Sequence, residues 1–189
     1  MEKKKSFLSV KEIVEIALLL SLAVVFDLSG LKIGHAGFNM VPLILIAYRH
    51  GPIKSGIIIG IVYAIINMAF DSWQINIVSL IFDYVLGYGC IALLGLFAKK
   101  AFSSHSKHIF NILWLILSIV VISLSRVLFS SIGGYILGYA PTFVSSFWLN
   151  LSIYVGWDCL LALIAFLVLY PTIILINKRF PTNFTKKFE

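Results

Sequence analysis

Charge is what this sequence has least of. Only 12% of its 189 residues are Asp, Glu, Lys or Arg, where a soluble domain carries about 25%. Apolar residues make up 60%, and mean hydropathy is +1.02. Cysteine is equally sparse. Cys90 and Cys159 both lie in apolar runs, and no spacing suggests a disulfide framework or metal site. Catalytic motifs are missing as well. His35, His50, His105 and His108 fall in loops or at the ends of apolar runs, without H-E-x-x-H spacing. There is no G-x-S-x-G and no G-x-x-x-x-G-K-[ST]. No enzyme activity and no cofactor is expected, and any ATP-driven work would fall to partner chains. The basic start precedes an apolar run but no small-residue cleavage site follows, so that run reads as a retained span.

What is present is a series of long, continuous apolar runs. They indicate an all-α integral membrane protein, because a barrel would show alternating strands of about ten residues. We read six spans, at about 10–27, 38–50, 52–70, 75–98, 108–139 and 146–177. Residues 1–9 form an N-terminal tail and 178–189 a basic C-terminal tail. The second span is short against the ~20 residues a crossing needs. His50-Gly51-Pro52 separates it from the third, since proline disfavours helix at the residue before it.

The positive charges set the orientation. Lys3, Lys4, Lys5 and Lys11 precede span one. Arg49 and Lys54 flank the turn after span two, and Lys99, Lys100 and Lys107 follow span four. Lys178, Arg179, Lys186 and Lys187 follow span six. With alternating spans all of these share one side, and Lys32 alone lies opposite. The positive-inside rule therefore places both termini in the cytoplasm. The net charge of +7 is thus a topology signal and an attraction to anionic lipid, not a nucleic-acid surface. The outer connections, DLSGLKIGHAGFN, FDSWQ and GYAPTFVSSF, are nearly uncharged. They read either as lids over a pocket or as plain interfacial turns.

Two carboxylates lie inside spans, Asp83 in the fourth and Asp158 in the sixth. Each costs roughly 2.5–3.5 kcal/mol to insert, which calls for a partner or a function. Asn76, Leu80, Asp83, Tyr84 and Gly87 share a helix face by 3–4 spacing. Asn150, Tyr154, Trp157 and Asp158 make a second stripe at i, i+4, i+7 and i+8. Carboxylates beside aromatic rings suit an organic cation. Trp73 in FDSWQ adds an aromatic ring at the outer rim. Arg126 in span five offers the competing explanation, an ion pair with Asp158 or with Asp83. Asn67, Ser130 and Ser131 are further polar candidates, although serines in spans often bond to backbone one turn back. Small residues form another pattern. Gly56-x-x-x-Gly60 reads as internal packing, and Ala17-x-x-x-Ser21 with Ala23 as a close-approach face for a partner helix. Glu12 and Glu15 at the start of the same helix read as charges favoured by its N-terminus.

Three segments carry a family resemblance: MVPLILIAYRHGPIKSGIIIGIVYAIINMAF, IFDYVLGYGCIALLGLFAKK, and the stretch from SRVLFSSIGGYILGYAP to WLNLSIYVGW. Over roughly residues 10–175 the chain resembles the thiamine-specific substrate-binding (S) subunits of energy-coupling factor transporters. The resemblance implies a six-helix vitamin-binding subunit in a bacterial cell membrane, working with a coupling subunit and two cytoplasmic ATPases. It implies ligand contacts at Asp83 and Tyr84 and in span six at Tyr154. Ser130 stands where the family has a His, Asn150 where it has a Tyr, and Val155 where it has an Asn. Trp157 and Asp158 are additions. Ala17 and Ser21 match a small-residue feature through which such subunits meet the coupling subunit. The expected ligand is thiamine or a thiamine-like compound: a carboxylate offsets the thiazolium charge and accepts from the exocyclic amine. The alternatives are an S subunit for a different vitamin or precursor, or a stand-alone secondary transporter of a small organic cation.

Overall fold

The computed structural model describes residues 8–30, 32–33, 36–70, 76–103, 108–152 and 158–188. Helix α1, Val10–Leu28, starts from a capping box in which Ser9 and Glu12 satisfy each other's backbone N–H groups. A two-residue antiparallel pair, Lys32–Ile33 with Ala36–Gly37, precedes α2, Met40–His50. Gly51 turns the chain with φ +79°, and Pro52 opens α3, Pro52–Phe70. Then follow α4, Ile77–Ala101, and α5, His108–Ile136. A shorter helix, α6, spans Phe143–Asn150. The last long helix is α7, Leu160–Arg179, and a 3-10 turn at Thr185–Phe188 closes the described chain.

Four of these helices, α3, α4, α5 and α7, are long and apolar enough to cross a membrane. The protein is therefore a multi-pass membrane protein. α2 is different. At 1.5 Å per residue its 11 residues reach roughly 16 Å, about half of a ~30 Å hydrocarbon core. It is apolar on nearly all sides, and such a helix belongs in the interior. Leu43, Ile46, Ala47 and Tyr48 are wholly buried, and the core cluster forms around them.

In the stretch expected as one sixth span, 146–177, the described residues are helical on both sides of 153–157, which lie outside them. α6 ends at Asn150 and α7 begins at Leu160, with Asp158 and Cys159 in π-helical backbone just before it. Two more π-helical stretches interrupt the ladder, Ile58–Tyr63 in α3 and Leu80–Leu86 in α4. Such bulges occur most often at functional sites. Gly60 serves the packing expected of it: a Cβ there would lie 3.0 Å from the Gly89 Cα of α4.

Candidate functional site

Several polar residues gather between α3, α4, α5 and the start of α7. Arg126 of α5 makes the choice that the sequence left open. Its Nη1 donates to Asp158 Oδ2 at 2.9 Å. Asp158 is 8% exposed, and its Oδ1 accepts from the backbone N–H of Gly37 at 3.1 Å. This carboxylate therefore joins α5, α7 and the chain entering α2. The Arg126 guanidinium also lies 4.8 Å over the Tyr88 ring, a cation–π arrangement. Its Nη1 approaches Met40 Sδ at 3.4 Å.

Asp83 lies in the π-helical stretch of α4, half-buried, with hydroxyl partners. Ser79 Oγ donates to Oδ2 at 2.7 Å, and Ser130 of α5 is a second hydrogen-bonding neighbour. Gly133 leaves room for the carboxylate: a Cβ there would sit 3.5 Å from Asp83 Oδ1. Among the described residues no ion pair reaches Asp83. Tyr84 is partly buried against the core, with its ring 6.4 Å from that of Tyr88. Asp83, Tyr84 and Ser130 are thus brought to one region, and Tyr88 links it to Arg126 and Asp158.

The chain matches the family model "Thiamine transporter protein (Thia_YuaJ)" over residues 13–178. It belongs to this family. The thiamine transporter ThiT of Bacillus subtilis (strain 168) is 30% identical over 105 residues, which cover 50% of this chain and 54% of ThiT. The match therefore spans about half of that relative's length. No solved structure matches.

Within this transporter-family chain, several residues named from the sequence have other employment. Asn150 Nδ2 donates to Ser146 O at 2.9 Å and lies 3.4 Å from Ser131 Oγ. Ser146 Oγ donates to Ser131 O at 3.0 Å. Asn150 thus fastens α6 to α5. Ser131 bonds back to Val127 O at 2.6 Å, whereas Ser130, one residue away, faces Asp83. Trp73, Tyr154 and Trp157 lie outside the described residues. On α1, Ala17 and Ser21 are exposed together, but Ala23 is wholly buried. At 100° per residue Ala23 falls on the face of Ile16, away from Ala17 and Ser21. The outward small-residue face therefore consists of Ala17 and Ser21 without Ala23.

Sequence reasoning missed one polar group in this family member. Asp27 in the last turn of α1 accepts from Asn67 Nδ2, and Tyr63 Oη lies 3.4 Å from its Oδ2. Asn39 Nδ2 donates to the same Tyr63 hydroxyl at 3.0 Å. The Tyr63 ring packs edge-on to Tyr88 at 5.1 Å. The signal was a charge inside the apolar run VVFDLSG.

An apolar cavity lies elsewhere. About 590 Å³ opens between α1, α2 and α7, lined by Leu22, Phe26, Phe38, Val41, Ile164 and Val168 among other apolar groups. It offers a cation nothing to pair with. A recess of about 10 Å³ lies at Arg126.

Proposed function

We propose that this chain is the substrate-capture subunit of an energy-coupling factor vitamin importer. It binds thiamine, or a closely related compound, from the outer side. The observation that carries the reading is Asp83: a membrane-embedded carboxylate with hydroxyl partners, no ion pair among the described residues, and tyrosines beside it. A carboxylate in that setting offsets a permanent organic cation, and the neighbouring rings add cation–π attraction. Asp83 meets the ligand's positive charge, Tyr84 flanks it and Ser130 orients the carboxylate. Tyr154, Trp157 and Trp73 supply further aromatic surface. Family membership independently favours thiamine.

The arrangement in the membrane is six spans with both termini in the cytoplasm, α1 and α2 being the two that composition and length support least. The exposed Ala17 and Ser21 of α1 meet a transmembrane coupling subunit, and two ATPases attached to it drive delivery.

Tryptophan-fluorescence titration of the isolated chain against a panel of vitamins tests this reading. Saturable quenching by thiamine, weakened in Asp83→Asn and Tyr84→Ala, is expected. Folded protein that responds to no thiamine-like compound would sink the assignment. Co-purification with a coupling protein and ATPases, lost on Ala17→Leu, checks the partner reading.

A further inference from the structure

Two acidic residues and one arginine lie near one another here, and their pairing is unequal. Arg126 gives Nη1 to Asp158 and its face to Tyr88. Asp83 is hydrogen-bonded by Ser79 and Ser130 and feels the Arg126 charge only from beyond ion-pair distance. Yet Arg126 is close enough to serve either carboxylate. Arg126 and Ser130 are one turn apart on α5, a step of about 5.4 Å. Across from them, a Cβ at Gly87 would lie 4.0 Å from both Arg126 Cγ and Ser130 Oγ. Gly87 is itself one turn from Asp83 on α4. The face bearing Asp83 and Gly87 therefore lies against the face bearing Arg126 and Ser130. A long, flexible guanidinium side chain spans one turn by changing rotamer. Released from Asp158, it would find in Asp83 the nearest unpaired carboxylate, and a buried arginine strongly favours such a partner.

We propose that Asp158 is a positioning residue: by holding Arg126 it keeps the guanidinium off Asp83, and so makes the site selective for a cation. This rests on the reading above, in which Asp83 meets the ligand's positive charge. Asp158 then acts without touching the ligand. Its second oxygen, on the Gly37 N–H, fixes the carboxylate so that Arg126 has one place to go.

The test compares wild type, Asp158→Asn and the double variant Arg126→Gln/Asp158→Asn. Asparagine keeps an acceptor for the Gly37 N–H and removes only the charge. The dissociation constants are measured by tryptophan fluorescence for thiamine and for its uncharged aminopyrimidine half. Asp158→Asn is expected to weaken thiamine at least 30-fold while the neutral fragment changes less than about threefold. The double variant is expected to recover most of the thiamine affinity, because no guanidinium remains to occupy Asp83. Equal losses for both ligands, equal weakness in single and double variants, or an unchanged Asp158→Asn would each overturn the proposal. If wild type binds no thiamine, the functional reading fails instead. The switch is then judged by an experimental structure of Asp158→Asn. Arg126 on Asp83 supports it, and Arg126 still over Tyr88 overturns it.

Discussion

The two ends of the bundle hold their charges in different ways. At the end where the chain after α7 folds back, Arg49 is 2% exposed and makes four hydrogen bonds. It donates Nε and Nη2 to Glu15, the latter at 3.0 Å. Nη1 goes to Asn177 Oδ1 at 2.5 Å, and Nη2 also reaches Phe180 O at 3.0 Å. Lys54 pairs with Glu12 at 3.1 Å. The chain after α7 folds back over this cluster. Thr182 Oγ1 donates to Arg49 O at 2.5 Å, and Asn183 donates to Glu12 from backbone and side chain. At the other end, by contrast, Arg126 pairs with Asp158 and lies over the Tyr88 ring, while Asp83 is hydrogen-bonded by serine hydroxyls and makes no ion pair among the described residues. A buried charge held by many partners is a fastening, whereas a carboxylate held by hydroxyls on irregular helix is, in the reading proposed above, the one a ligand's charge meets. In the function proposed above, the Arg49 end holds the bundle and the Asp83 end meets the ligand.

This contrast can be broken by mutation, and the largest effect belongs to the fastening. Arg49→Ala strands Glu15 and is expected to cost about 3–5 kcal/mol of stability, read as a lowered unfolding midpoint in detergent. Thiamine affinity of the protein that remains folded should be unchanged. If affinity falls with stability, the two ends are not separable. Asp83→Asn should do the reverse. It removes a charged partner worth about 1.5–3 kcal/mol, a loss of roughly tenfold to more than a hundredfold in affinity, with the unfolding midpoint little moved.

Gly51→Ala sharpens the same contrast from the backbone side. With φ +79° and ψ 171°, Gly51 occupies a region nearly closed to other residues, and strain there costs about 1–3 kcal/mol. A Cβ would also lie 2.8 Å from the Phe184 ring, so the C-terminal fold-back should loosen, seen as faster hydrogen exchange over residues 180–188. Asn183→Ala is the mildest, about 0.5–1.5 kcal/mol for the lost side-chain hydrogen bond, again without change in ligand affinity.

Hydropathy made the long helices legible, because a 19-residue apolar run is a local property. It showed that α2 is short, but not that it is central and buried, since burial depends on what surrounds it. Nor could it show that Asp158 sits in π-helical backbone beside Arg126. Glu12 and Glu15 were read as charges suited to a helix N-terminus. Glu12 does serve that N-terminus, in the capping box with Ser9, and both glutamates also pair with residues far along the chain, Lys54 and Arg49. Arg126 had two candidate carboxylates by depth, and only the packing of α5 against α4 and α7 chose between them. Asp83 with Tyr84 was legible because a charge in an apolar run and an adjacent aromatic need no fold to be noticed. Asp27 carried the same signal and was overlooked at the end of its run.

The most direct test is a calorimetric titration of the purified chain with thiamine, run beside Asp83→Asn. Saturable one-site binding by wild type, weakened at least tenfold in Asp83→Asn at an unchanged unfolding midpoint, is the expected result. Equal binding by the two proteins would contradict the assignment of Asp83 and, with it, the outer half as the place where the ligand's charge is met.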